Sequence, residues 1–220
     1  PLVRTRHSSP AVVFAEDFMS GEDFLRRWAT PPGCSYLLGA EGMRFSNAHS
    51  PILTTPLAIV EDCEFEFCGR IEREQIGWAV RGTKAVSDIL PSFCVVFTLN
   101  VRGELTPHIW SVNNPHAQTH YQVFPRTILP KRERPVAGRW SMFVTRLKGS
   151  TVEIEVDGRR VFTADLSRPP FASTYLSVNH WQGQVGFRCY PGEEATVRAV
   201  RVRALDRPGG LANRRLQPTK

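Results

Sequence analysis

Two histidines and two tryptophans sit where side chains could do chemistry. His108 and Trp110 stand two apart in the alternating stretch 105–112, so they share a strand face with Thr106 and, across a short loop, with Thr98 and Asn100. A Trp on a face otherwise lined by Thr and Asn can stack on a sugar ring, while His and Asn supply hydrogen bonds. The pairing recurs in Asn179-His180-Trp181, and His116, His120 and Tyr121 lie in another irregular segment. Long irregular connections on a β-scaffold are where binding residues tend to sit. Imidazole titrates near neutrality, which makes His108 and His180 the candidates for acid–base work. Trp110, Asn100, Arg81, His116, His120, Tyr121, Asn179 and Trp181 are the candidates for holding a saccharide, with Arg81 placed at the rim. The competing reading is that a helix or loop covers this face, which would make Trp110 simply core.

Other constellations point to less. Asp62-x-Glu64-x-Glu66 places three carboxylates at alternate positions of one strand. Such spacing suits the nucleophile and acid of glycoside hydrolysis. No Trp or Met flanks it, and a solvated strand face is expected. His116-x-x-x-His120 has metal-ligand spacing only on a helix, and Asn113-Asn114-Pro115 argues against one. Cys34, Cys63, Cys68, Cys94 and Cys189 contain no C-x-x-C pair, so no zinc site is expected. No metal ligands and no cofactor are assigned, although a divalent cation such as calcium remains compatible. Walker, Rossmann and G-x-S-x-G patterns are missing.

Strands must position these residues. Residues 140–166 read as three in succession. In 151–156, Val152, Ile154 and Val156 alternate with Thr151, Glu153 and Glu155, and Asp157-Gly158 follows as a two-residue hairpin turn. That loop pairs Val156 with Arg159, Glu155 with Arg160 and Ile154 with Val161. Gly149-Ser150 turns the chain before it. Residues 93–101 place Phe93, Val95, Phe97, Leu99 and Val101 on one face. Matching the apolar faces predicts a three-residue loop, Arg102-Gly103-Glu104, which pairs Phe97 with Ile109 and Thr98 with His108. Further strands are expected at 11–18, 35–45, 52–59, 63–70, 76–81 and 120–124, with a polar loop around His49 and Pro51. Residues 20–29 read as a short helix with Phe24, Leu25 and Trp28 as its apolar stripe. Two strands flank Pro191-Gly192. The last changes phase between Ala199 and Val200, which a β-bulge near Ala199 would repair.

Trp140 opening a strand, the turn in VEIEVDGRRVFTADL, the strand GQVGFRCYPG and the closing VRAVRVRAL form an order that resembles the concanavalin A-like (laminin-G-like) jelly rolls. Nearest in pattern are the 3-keto-disaccharide-hydrolase-type domains and related jelly rolls of bacterial sugar-degradation operons. The resemblance implies an all-β, two-sheet antiparallel jelly-roll sandwich with one or two short helices. It implies a saccharide ligand on the concave sheet. Its enzymatic alternative is a keto-glycoside hydrolase or lyase, or a glycoside hydrolase. In the keto-sugar case a ketone at C3 acidifies the C2 hydrogen and a base such as His108 or His180 removes it.

Length and charge fit that frame. The 220 residues suit one large all-β domain, 11–206, with an arm at 1–10 and a basic tail at 207–220. The net charge of +7 sits largely in those ends. Arg4, Arg6, Arg207, Arg214, Arg215 and Lys220 are six of the 28 basic residues and share their segments with no acid, which leaves 22 basic against 21 acidic in the body. No nucleic-acid partner is expected from such a distribution. No apolar run reaches the roughly 18 residues of a membrane helix. The unpaired look of the cysteines favours a reducing, cytoplasmic setting, and export if a leader has been removed. Oligomeric state is not encoded in any motif.

Overall fold

Fourteen antiparallel strands and one short helix carry the residues that the computed structural model describes: 12–19, 21–30, 33–54, 61–83, 93–111, 121–172 and 183–205. In chain order they are β1 (Val12–Glu16), α1 (Gly21–Arg27), β2 (Trp28–Ala29), β3 (Ser35–Gly39), β4 (Gly42–Thr54), β5 (Cys63–Arg73), β6 (Gln75–Thr83), β7 (Phe93–Asn100), β8 (Glu104–Ser111), β9 (Tyr121–Val123), β10 (Thr127–Ile128), β11 (Trp140–Lys148), β12 (Thr151–Val156), β13 (Arg159–Asp165) and β14 (Gln184–Ala204). A 3-10 turn spans Lys131–Glu133. The hydrogen-bonded order is β10-β8-β7-β6-β14-β5-β11-β12-β13, with β4 also against β14. β14 belongs to both layers. Its first part pairs with β6, and beyond the Pro191-Gly192 corner it pairs with β5. This is the all-β jelly-roll sandwich.

The core lies where the two layers face each other. Phe93, Val95, Phe97 and Leu99 of β7 are fully buried, as are Phe65 and Phe67 of β5 and Phe143 of β11. Rings bridge the layers: Trp78 lies 5.4 Å from Phe143, and Phe97 lies 5.7 Å from Phe162. The indole N–H of Trp78 donates to Thr145 Oγ1 at 2.9 Å, so the one polar atom that this ring buries is satisfied.

Local turn chemistry explains where the strands turn. Asp157 and Gly158 both have positive φ, 51° and 74°, as a two-residue primed turn requires. Val156 pairs with Arg159 and Glu155 with Arg160 as expected, but Ile154 then pairs with Phe162, because a bulge intervenes. Ala199 has φ 51°, and the register of β14 against β5 shifts between Arg198 and Arg201, which places the expected bulge. The β7–β8 loop has three residues but begins one residue earlier than expected. Phe97 faces Pro107 and Thr98 faces Thr106. The loop is Val101-Arg102-Gly103, and Gly103 takes φ 81° at its last position. A three-residue hairpin needs its left-handed residue there, and glycine fills it without strain. Because the shift is even, every side chain keeps its expected face.

Three further expectations are corrected. β3 and β4 form a hairpin, and β4 runs unbroken through positions 49–51, where a polar loop was expected. Its register with β14 resumes on both sides of that segment, Ala48 against Cys189 and Ile52 against Phe187, with a shift between them. The helix ends at Arg27, with Trp28 entering β2 instead. Phe24 and Trp28 are buried but Leu25 is exposed, so the stripe is narrower than three residues. The arm 1–10, the tail 207–220 and Ser20 lie outside the described residues.

Candidate functional site

The outer face of the β8-β7-β6-β14 layer can be laid out in rows from the pairing registers. One row holds Trp110 and Cys94. The next holds His108, Val96, Ala79, Gly186 and Leu53. The third holds Thr106, Thr98, Gly77 and Arg188. The fourth pairs Asn100 with Gln75. Polarity therefore changes along the strands, from an aromatic and apolar end to a hydroxyl, amide and guanidinium end.

Trp110 packs on a small apolar cluster separate from the main core: Leu53, Ala79, Cys94 and Val96. Those four are buried while Trp110 keeps part of its surface. Its neighbour across β9 is Tyr121 in backbone register, and Val123, opposite His108, is 55% exposed. The open part of this face is therefore the Trp110–Val123 end.

His108 sits differently from the expectation of a cleft base. It is buried, and its Nε2 lies 3.1 Å from Thr98 Oγ1. Burial, and then the nearby Arg188 guanidinium, push its pKa down from 6.5 to about 3. A neutral imidazole at physiological pH donates and accepts hydrogen bonds but is a weak base, so the near-neutral titration expected for it is not found. The sign of the linkage follows. An unfolded His takes up a proton as pH falls through about 6.5, whereas folded His108 resists until about 3, so stability drops as pH falls across that window. We expect the wild-type melting temperature to fall more steeply between pH 7 and pH 4 than that of His108→Asn. Parallel melting curves would show that His108 does not carry this term.

Two other expected site residues are committed elsewhere. Asn100 Oδ1 accepts from the Arg102 and Glu104 backbone N–H groups, both at 3.0 Å, and its Nδ2 donates to Glu104 Oε2 at 2.8 Å. It closes the β7–β8 loop. Arg81 is not at a rim: it is 2% exposed, with φ 56° and a register shift beside it. Its Nη2 donates to Gly149 O at 2.8 Å and stands 3.9 Å from Asp62, while Nε and Nη1 have no hydrogen-bond partner among the described residues. His116, His120, Asn179, His180 and Trp181, and the side chain of Tyr121, lie outside the described residues.

Sequence reasoning placed Thr98, Asn100 and Thr106 on this face but missed what β14 brings to its polar end. Arg188 is buried and its guanidinium carbon lies 3.4 Å from the Tyr190 ring centre, a cation–π stack. Glu193 accepts from Gln75 Nε2 at 2.6 Å and from the Tyr190 backbone N–H at 2.7 Å, and burial raises its pKa. The available signal was the alternation of Arg188 and Tyr190 against Val185, Phe187 and Cys189.

The acidic strand is structural. Arg203 bonds both Glu64 and Glu66, at 2.6 and 2.9 Å, and Arg146 bonds Glu64 and Glu155, at 2.8 and 2.6 Å. Asp62 leaves that row to accept the Gly149 N–H at 2.8 Å. Among the described residues, no three His, Cys, Asp or Glu side chains converge on a metal position, and no helix is long and apolar enough to cross a membrane. All five cysteines are free thiols; burial lifts Cys94 to about 12, so it acts as a small apolar residue.

Sandwich, shared β14 and outer-face rows together define a concanavalin A-like jelly roll, and solved structures agree. A protein of unknown function with a galectin-like fold from Bacillus subtilis superposes with TM-score 0.60 at 11% identity, over 89% of this chain and 97% of its own. Carbohydrate-binding module CBM66 from Bacillus subtilis gives 0.56 at 15% identity, over 77% and 91%. The laminarinase catalytic domain from Thermotoga maritima gives 0.53 at 10% identity, over 91% and 100%. No protein-family model matches the chain, and no curated protein does.

Proposed function

We propose that the protein is a carbohydrate-binding jelly roll that holds a saccharide against the outer face of β8. The observation that carries this reading is Trp110, a part-exposed indole on the outer face of β8, supported from beneath by Leu53, Ala79, Cys94 and Val96. The two faces of a sugar ring differ, and the apolar one stacks on such an indole while hydroxyls at its edge seek hydrogen bonds. Thr106, part-exposed on the same face of β8 two rows from the ring, is a polar group that such hydroxyls could reach. The neutral state of His108 suits a hydrogen-bonding and supporting role. The named neighbours, a carbohydrate-binding module, a galectin-like fold and a laminarinase, support the reading through a shared scaffold.

The test is to map binding by amide chemical shifts while titrating laminari-, chito- and galacto-oligosaccharides. Movement of Thr106, His108, Trp110 and Val123 is the expected result. Movement confined to the Glu66, Arg146 and Arg203 ladder, or no movement with any of the three sugars, would overturn it.

A further inference from the structure

A cleft of about 190 Å³ opens between the 3-10 turn and connection that precede β11 and the β12–β13 turn. It holds the space of roughly six waters, enough for a sugar-sized or smaller group. Four arginines line it: Arg132, Arg134 and Arg139 from the connection and Arg159 from the start of β13. The two acids in the wall are already engaged. Glu133 pairs with Arg132 at 3.4 Å, and Asp157 Oδ1 accepts the Met142 N–H at 2.8 Å. Arg134 spends its Nε on Leu129 O at 3.1 Å. The guanidinium groups of Arg139 and Arg159 make no hydrogen bond or ion pair with the described residues. Ser141, a buried residue of β11, adds a hydroxyl to the lining.

The cleft is also held in shape. Leu129 N–H donates to Gly103 O at 2.8 Å and Gly138 N–H to Ile71 O at 2.9 Å, which ties the connection to the β7–β8 loop and to β5. The Arg134 side chain lies against Gly103, where a Cβ would come within 2.5 Å of it. The connection is therefore a fixed wall, and its excess positive charge is presented to one small volume. Guanidinium forks match the oxygens of carboxylate, sulfate and phosphate in pairs, and such charge-assisted hydrogen bonds are the strong ones.

We propose that this cleft binds an oxyanionic group, a sulfate ester or a carboxylate, held by Arg139 and Arg159 with the Ser141 hydroxyl beside them. It is distinct from the outer face of β8, so either site can fail while the other is still tested. The experiment follows the amides of Ser141, Val156 and Arg159 during titration with inorganic sulfate, glucose 6-sulfate, glucuronate and glucose. The anions are expected to shift these amides and glucose is not. Equal affinity for sulfate and glucose 6-sulfate identifies a free-anion site. Tighter binding of the sugar sulfate or of glucuronate identifies an anionic saccharide. Arg139→Ala/Arg159→Ala is expected to weaken anion binding by roughly tenfold or more, since hydrogen bonds to charged groups are lost. Arg139→Lys/Arg159→Lys, which keeps the charge but loses the fork, should lie between and guards against a folding defect in the alanine variant. Anion titrations that leave all three amides in place, or an alanine variant that folds and binds anions like the wild type, would overturn the proposal.

Discussion

Trp78→Ala is expected to remove about 3–5 kcal/mol of folding stability, because a fully buried aromatic deletion loses both transfer energy and packing. The ring contacts Phe67, Phe97 and Phe143, with centroids 6.0, 5.9 and 5.4 Å away, so the cavity would open between both layers at once. It also leaves Thr145 Oγ1 without the indole N–H it accepts at 2.9 Å. An unsatisfied buried acceptor adds about 1–3 kcal/mol. Total stabilities of about 5–15 kcal/mol make such a loss close to complete unfolding. Trp78→Phe separates the two terms, because it keeps most of the apolar volume and deletes only the donor. Denaturant titration should rank wild type above Trp78→Phe and Trp78→Phe above Trp78→Ala. An alanine variant within about 1 kcal/mol of the wild type would show that the inter-layer core does not centre on this ring.

What was legible in the sequence divides along the range of the interactions. Alternation in β7 and β12 fixed which side chains point inward, because period two is a local property of the strand. The Asp157-Gly158 turn and the Ala199 bulge were equally local: one needs residues that tolerate positive φ, the other a visible change of phase. The β7–β8 loop was also open to reading, since Gly103 has to occupy the last of three loop positions, and that consideration outranks a match between Phe97 and Ile109. Arg81 was not legible. Its positive φ turns it out of the alternation of β6, and its partner Gly149 is 68 positions away. Glu64 and Glu66 looked like a free acidic face because Arg203 lies 139 and 137 positions from them. Strand order decides such pairings, and no local pattern states that β14 runs beside β5.

Of the candidate site, the face was readable and its state was not. Thr98, Thr106, His108 and Trp110 do share one face, as alternation requires. The pKa of His108 is depressed by its burial first and by the Arg188 guanidinium of β14 second, and Arg188 reaches this neighbourhood only through the shared strand. A histidine and a tryptophan two residues apart thus come to differ in kind, one a buried neutral support and the other a partly open ring.

That difference sets the expected outcome for Trp110→Ala. The ring rests on Leu53, Ala79, Cys94 and Val96, a cluster apart from the main core, and it keeps some of its surface exposed. Removing it should cost about 1–2 kcal/mol of stability, less than the loss at Trp78, because less area returns to water and no inter-layer cavity forms. Binding should suffer more in proportion. A sugar face covering about 60 Å² of indole gains roughly 1.5 kcal/mol, close to a tenfold change in affinity, before any hydrogen bond aligned by the stack is counted. Trp110→Phe retains a smaller aromatic platform and should bind with an intermediate constant. Calorimetric titration of the three proteins with whichever of the laminari-, chito- or galacto-oligosaccharides shifts the β8 amides measures this directly, and a thermal melt of each controls for folding. Unchanged affinity in Trp110→Ala would remove the ring from the site. A melting temperature that falls as far as that of Trp78→Ala would place the ring in the structural core instead, with the saccharide bound elsewhere.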